Sequence, residues 1–92
     1  MSDSFIKDPA ALLDYTWDWT AWLAEVADTI ASATVSVPDG LTAGGAPTVG
    51  DTTVTQRVSG GDVDGSYTMV CQITTVGGLV DERSIHLTIV NR

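Results

Sequence analysis

Cys71 and His86 are the two side chains best suited to catalysis, and each is the only residue of its type in the 92-residue chain. A nucleophilic cysteine needs solvent access and a nearby base. Residues 66–76 alternate in the manner of a strand, and the alternation places Cys71 on the inward face, where it is a small apolar core residue. The next alternating run places His86 outward, between Ile85 and Leu87. A lone exposed histidine is typically solvated, so neither residue predicts catalysis.

Four aspartates could carry chemistry of another kind. The stretch Asp62-Val63-Asp64-Gly65 resembles part of a calcium loop, but the third acidic position and the distal glutamate are missing. A polar turn is therefore the better interpretation. Asp14 and Asp18 share the polar face of one predicted strand and are expected to be exposed or bonded to neighbouring backbone. One cysteine and one histidine cannot form a metal site of the usual kind. We predict no enzyme activity, no metal and no cofactor.

The net charge and the composition of the chain argue against several kinds of partner. A formal net charge of −8, with only 4 basic residues, argues against binding to a nucleic acid backbone or to an anionic membrane. No window of about 18 residues is free of aspartate and apolar throughout, so no membrane-spanning helix is expected. The length predicts one domain with a single core.

The densest apolar stretch, residues 12–23, contains all 3 tryptophans. Tyr15, Trp17 and Trp19 alternate with polar residues, which predicts a strand with one buried face. The spacing of Trp19, Trp22, Leu23 and Val26 is helical. We therefore predict a strand to about residue 19, followed by a short helix over 20–27 that is capped by Thr20. A single helix over 12–27 is the alternative.

Further strands are predicted over 28–37, 51–59, 66–76 and 79–90, with a short edge strand and a loop over 41–50. Gly77-Gly78 predicts a two-residue hairpin between the last two strands. This spacing predicts an all-β fold, an antiparallel β-sandwich of about seven strands of the immunoglobulin or fibronectin type. Tyr67 lies where such folds place a corner tyrosine. The residues predicted to form the core are Tyr15, Trp17, Trp19, Trp22, Tyr67, Met69, Cys71, Ile73, Ile85, Leu87 and Ile89.

Residues 1–11 are predicted to be an extended N-terminal arm on a domain that spans 12–92. Asp8-Pro9 is a helix-start signal, consistent with a single turn before the first core strand. Two interpretations remain open for the arm. It folds back on its own domain, or its apolar pair docks into a partner. The predicted partner-binding residues are Phe5, Ile6, Lys7, Asp8 and Pro9.

Several short motifs stand out along the chain: Lys7-Asp8-Pro9, Leu13-Asp14-Tyr15, Asp18-Trp19 with Trp22-Leu23, Asp28-Thr29-Ile30, and the stretch from Ile73 to Ser84. Through these motifs the chain resembles, over residues 5–90, a family of short proteins of tailed bacteriophages, the fibre–tail adaptors. The resemblance implies an immunoglobulin-like structural module of the virion. We expect the protein to be assembled in the host cytoplasm, to sit in several copies on a symmetric platform at the neck or tail, and to help attach fibres. Its partners would be neck, tail or fibre proteins. A capsid decoration protein, bound to the major capsid protein, and a carbohydrate-binding or adhesion module are the alternatives.

Overall fold

The computed structural model of the protein describes residues 2–90, and the side chains from Ser4 onward. Met1, Asn91 and Arg92, which belong to the predicted arm and domain, lie outside the described residues. Within residues 2–90 no helix is long and apolar enough to cross a membrane. The elements are β1 (Ser2–Lys7), β2 (Leu13–Asp18), α1 (Thr20–Val26), β3 (Ile30–Ser36), β4 (Leu41–Ala43), β5 (Thr48–Val49), β6 (Thr53–Gly60), β7 (Ser66–Thr75) and β8 (Val80–Ile89).

The strands form two sheets, with the order β1-β8-β7-β3 in one and β2-β6-β4 in the other, where β5 also pairs with β6. The predicted all-β sandwich with one short helix is confirmed. One pairing differs from the antiparallel expectation, because β1 runs parallel to β8. The cause is the route of the chain. The turn after Lys7 carries the chain from one sheet to the other, so β1 pairs with the last strand of the domain.

The core lies between the sheets because alternate residues of each strand face inward. Tyr15, Trp17, Val54 and Val58 are buried on one sheet. Of the other residues predicted to form the core, Trp22 and Tyr67 are partly buried against this cluster. Fully buried in the core are Trp19, Met69, Cys71, Ile73, Ile85, Leu87 and Ile89.

The tryptophan-rich stretch is a strand followed by a helix, so the alternative of one continuous helix is wrong. Trp19 lies between the two elements and is fully buried. The prediction that Thr20 caps the helix is also wrong. Thr20 is the first helical residue, and its backbone N–H and its hydroxyl both donate to the Asp18 carboxylate. Asp18 therefore supplies the acceptor at the start of α1, because it ends β2 one residue before the helix cap, Trp19.

The β7–β8 hairpin has a longer loop than predicted. Thr75 N–H donates to the Leu79 carbonyl (2.8 Å), and Gly78 N–H donates to the Thr75 carbonyl (3.0 Å). The loop therefore contains three residues, Val76 to Gly78, instead of two. Gly78 has φ +91°, the conformation that a three-residue hairpin requires at its last position.

Tyr67 occupies the corner position that the sequence suggested. Its hydroxyl accepts a hydrogen bond from the Asp62 backbone N–H (3.2 Å), which lies in the connection before β7. Gly40 and Gly65 flank the ring so closely that an added Cβ would lie 2.7 Å and 2.9 Å from ring carbons. The two glycines therefore leave the space that the aromatic ring fills.

Candidate partner-binding surface

The segment predicted as an arm lies along the sheet. Ser2–Lys7 pairs with Ser84 to Ile89 of β8, so the first residues fold back on their own domain. Residues in register across parallel strands face the same side of a sheet. Phe5 and Lys7 therefore face the interior with Leu87 and Ile89, whereas Ile6 faces outward beside Thr88.

Lys7 is fully buried, an uncommon place for a lysine. Its Nζ donates to the Gly60 carbonyl (2.7 Å) at the end of β6 and to the Asp8 carbonyl (2.8 Å). Burial lowers the pKa of the ammonium group, an effect that the nearby Asp8 carboxylate partly opposes. The prediction that Lys7 contacts a partner is therefore corrected, since its side chain joins β1 to the opposite sheet instead.

Phe5 and Ile6 keep much of their surface exposed, at 43% and 52%. The Phe5 ring lies 5.5 Å from the Tyr15 ring, which orients it at the margin of the core. Asp8 accepts a hydrogen bond from the Ala10 N–H (2.8 Å) and so shapes the turn that contains the half-buried Pro9. After this turn two leucines are also exposed. We call the exposed apolar side chains on both sides of this turn the N-terminal surface: Phe5, Ile6, Leu12 and Leu13.

A second apolar surface lies at the β7–β8 hairpin. An open cleft of about 450 Å³ separates α1 from the hairpin and is lined by Leu23, Ala27 and Val76, among others. Val76 is exposed at this cleft, and the next residues of the hairpin, Leu79 and Val80, are exposed as well.

Asp28 fixes the hairpin against the end of α1. The pKa of its carboxyl group lies below the ordinary value of 3.8, because the carboxylate accepts hydrogen bonds from the Thr75 hydroxyl and from the Thr29 and Gly77 backbone N–H groups. An added Cβ at Gly77 would lie 2.6 Å from this carboxylate. The geometry gives Asp28 a structural role and explains its place in the sequence resemblance.

The lowered pKa of Asp28 predicts how stability depends on pH. A carboxyl group whose pKa is lower in the folded state stabilises the protein above its unfolded pKa, and the contribution is lost as the pH falls below 3.8 and through the lower folded pKa. We expect Asp28→Asn to destabilise the protein at pH 7, and the difference from the wild type to shrink as the pH approaches 3. Urea unfolding followed by circular dichroism measures both effects.

The matched control for that experiment is Asp39→Asn. Asp39 is exposed, and its carboxylate accepts no hydrogen bond from the described residues. We expect this variant to follow the wild-type pH dependence. A difference between wild type and Asp28→Asn that stays constant from pH 7 to pH 3 would contradict the role given to Asp28.

Trp19 joins the two sheets through polar contacts. Its Nε1–H donates to the Asp81 carboxylate (2.8 Å), and the Arg83 guanidinium lies 5.1 Å from the centre of its ring. Arg83 also donates to the Asp18 carbonyl (2.8 Å) and lies 3.6 Å from the Asp81 carboxylate. Asp81 and Arg83, at the start of β8, therefore bind the tryptophan segment to the facing sheet.

The described basic side chains are all engaged within the protein. Lys7 is buried, Arg57 pairs with Asp14 (2.9 Å), and Arg83 contacts Asp81 and Trp19. The Arg57 bond lowers the pKa of Asp14. In contrast, several exposed carboxylates form no ion pair with any described residue, and the surface is acidic as a result. These carboxylates belong to Glu25, Asp39, Asp51, Asp62, Asp64 and Glu82.

The residues considered for catalysis lie apart from one another. Burial raises the pKa of the Cys71 thiol to about 12, so the reactive thiolate does not form near neutral pH. His86 is exposed, and its Nδ1 lies 2.8 Å from the Thr68 hydroxyl. Asp62 and Asp64 lie in a turn closed by backbone hydrogen bonds. Among the side chains that the structure describes, from Ser4 to Val90, no three of His, Cys, Asp or Glu are grouped as metal ligands.

The fold and its surfaces define a class of protein: a small β-sandwich module with exposed apolar and acidic side chains. The family model described as podophage GP4 fiber-tail adaptor protein gp77 matches residues 7–88, and the chain belongs to this family. Membership gives it a structural adaptor role in the phage virion, with tail or fibre proteins as partners. No curated protein matches the chain.

Proposed function

We propose that the protein is a non-enzymatic adaptor at the neck or tail of the particle, present in several copies on a symmetric platform, where it helps attach fibres. The observation that carries this proposal is the family match over residues 7–88. Many copies on one platform multiply weak contacts through effective concentration, which suits a domain of this size.

The N-terminal surface is the part of the domain that we assign to the anchoring contact. It exposes Phe5 at the margin of the core, Ile6 on the outer face of the sheet and two leucines after the turn, and exposed apolar side chains that cluster in this way are candidates for a protein interaction site. Lys7 holds the segment in place through the Gly60 carbonyl, so the surface is ordered before a partner binds. A preordered surface loses less conformational entropy on binding.

The alternative of a carbohydrate-binding module requires an exposed aromatic platform. Trp17, Trp19 and Tyr15 are buried, and Trp22 is partly buried against the core. This arrangement supports the adaptor over a sugar-binding module. The capsid decoration alternative differs in location and in its partner, the major capsid protein, and the family description favours the tail.

The anchoring role of the N-terminal surface is tested by Ile6→Asp. Ile6 faces outward, so we expect the variant to fold like the wild type but to lower the number of copies per particle at least about tenfold, which corresponds to about 1.4 kcal/mol of binding free energy. Quantitative mass spectrometry of purified particles measures the copy number. Deleting the arm would be a poorer test, because it removes the strand that pairs with β8.

Val49→Asp is the matched control. Val49 is 41% exposed on β5 of the other sheet. Like Ile6→Asp, the Val49→Asp variant replaces an exposed apolar side chain with a charged one. We expect Val49→Asp particles to carry the wild-type number of copies. Normal incorporation of a folded Ile6→Asp variant would rule out the anchoring role of this surface.

A further inference from the structure

The outer face of the sheet β1-β8-β7-β3 carries almost no charge. Its strand residues that point away from the core are mainly serine, threonine and valine. Among the outward side chains that the structure describes on these strands, Glu82 is the one carboxylate and His86 the one basic group. The other exposed carboxylates of the described chain lie on the second sheet, on α1 or in connections. A chain with a net charge of −8 therefore has one broad face on which two copies could meet with little repulsion.

The two charged positions of this face are symmetric about Ser84. Glu82 and His86 each lie two residues from Ser84 on β8, on the same side of the sheet and about 13 Å apart. A two-fold axis that crosses the strands at Ser84 exchanges these positions. It lays Glu82 of each copy over His86 of the other, so the acidic and the basic side chain meet twice in one interface.

Both side chains have polar atoms available for such a contact. Nδ1 of His86 lies 2.8 Å from the Thr68 hydroxyl, whereas its Nε2 has no hydrogen-bond partner among the described residues. Glu82 is exposed, and its carboxylate forms no hydrogen bond or ion pair with a described residue. Packed sheets lie about 10 Å apart, a gap that a glutamate and a histidine reaching from opposite sides can span.

The same axis matches the neighbouring positions of β7. Val70 lies beside Ser84, so the axis lays it over Val70 of the second copy and places an apolar contact at the centre. Gln72 likewise faces Thr68 of the second copy. A shallow cleft of about 250 Å³ is lined by Val70 and Gln72, among others, and gives the face a hollow that a second copy would fill.

The face is large enough for a weak dimer. Four strands about 4.8 Å apart, with up to ten residues that rise about 3.3 Å each, cover on the order of 500 Å² per copy. A pair of copies would bury roughly 1,000 Å² in total, at the low end of the range for specific interfaces. Two twisted sheets pack face to face with their strands about 30° apart, and the small side chains of this face allow that approach.

We propose that two copies of this chain pair through the outer face of the sheet β1-β8-β7-β3, around a two-fold axis at Ser84 that joins Glu82 of each copy to His86 of the other. The pairing goes beyond the adaptor function, because it is a property of the isolated protein. Ile6 lies on β1 at the edge of the sheet and two rows from the axis, so the pairing and the anchoring contact use separate positions.

Sedimentation equilibrium of the isolated protein tests the pairing. We expect a monomer–dimer equilibrium with a dissociation constant in the micromolar range, as the small area of the interface implies. A protein that stays monomeric up to about 1 mM, beyond the range of weak specific association, would overturn the proposal. The adaptor function would then still stand, because it rests on the family match.

Exchanging the two charges tests the contact itself. We expect His86→Glu to weaken dimerisation at least about tenfold, because it sets two carboxylates against each other on both sides of the axis. The double variant Glu82→Lys with His86→Glu restores opposite charges and should dimerise at least as tightly as the wild type. Circular dichroism checks that each variant is folded.

Thr42→Glu is the matched control, since it adds one negative charge at an exposed position on β4 of the other sheet. Exposed charges more than about 10 Å apart are largely screened at 0.1 M salt, so its dissociation constant should stay within about twofold of the wild type. A folded His86→Glu variant that dimerises like the wild type would overturn the proposed contact. So would a double variant that dimerises no more tightly than His86→Glu alone.

Discussion

Replacing Trp19 with alanine is expected to lower the free energy of unfolding by about 3–5 kcal/mol, the usual cost of truncating a buried aromatic residue. Trp19 is fully buried, and its Nε1–H bonds the Asp81 carboxylate at 2.8 Å. The substitution leaves a cavity between the sheets and removes the bond that holds Asp81. A domain of this size has a total stability of roughly 5–14 kcal/mol. The variant should therefore lose a large fraction of its stability and unfold at a clearly lower urea concentration than the wild type.

Two further variants separate the effect of the lost hydrogen bond from the effect of the lost buried ring. Trp19→Phe keeps most of the buried ring but loses the hydrogen bond, and we expect it to cost about 1–3 kcal/mol. Trp22→Ala truncates a tryptophan that is only partly buried, and its cost should be smaller than that of Trp19→Ala. Urea denaturation followed by far-UV circular dichroism compares all three. Equal losses for Trp19→Ala and Trp22→Ala would contradict the placement of Trp19 at the junction of the sheets.

Gly61→Ala is expected to cost about 2–4 kcal/mol, because strain and overpacking add at this position. Gly61 has φ +99°, a conformation that side chains other than glycine rarely adopt. An added Cβ would also lie 2.7 Å from the Cδ1 and Cγ1 atoms of Ile89. Ile89 is fully buried, so it has little room to move away.

Gly45→Ala isolates the backbone strain. Gly45 has φ +108°, but no atom lies within 4 Å of the position that its Cβ would take. We expect this control to lose only about 1–2 kcal/mol. Thermal and urea unfolding of the two variants measure the difference. If Gly61→Ala cost no more than Gly45→Ala, the close packing of Ile89 against the β6–β7 connection would be incorrect.

The sequence predicted the elements whose signal is local. Alternation over 66–76 and 79–90 marks the buried faces of β7 and β8, because each strand exposes one side to water. The change from period two to helical spacing after Trp19 predicted the short helix. The hairpin loop was predicted less well, since a Gly-Gly pair fits both two-residue and three-residue loops.

The arrangement of the first residues could not be read from the sequence. The pairing of β1 with β8 joins opposite ends of the chain, and nothing in residues 1–7 indicates which strand they meet. The burial of Lys7 depends on the Gly60 carbonyl, 53 positions away. The Trp19–Asp81 bond spans 62 positions. The only sequence signal for either contact was the place of these residues in the resemblance to the adaptor family.

The structure separates the predicted partner-binding residues into exposed and internal ones. Phe5 and Ile6 are exposed and remain candidates for the contact, whereas Lys7 is internal. The leucines of the N-terminal surface were absent from the prediction. Solvent exposure of an apolar residue depends on which strands cover it, and strand order is a property of the whole fold.

A cryo-electron microscopy map of the intact phage particle tests the central claim most directly. The adaptor role predicts copies of this sandwich at the neck or tail, arranged with the symmetry of that platform, each contacting a tail protein and a fibre protein. Density for the sandwich on the capsid shell, or a position that contacts no fibre, would contradict it.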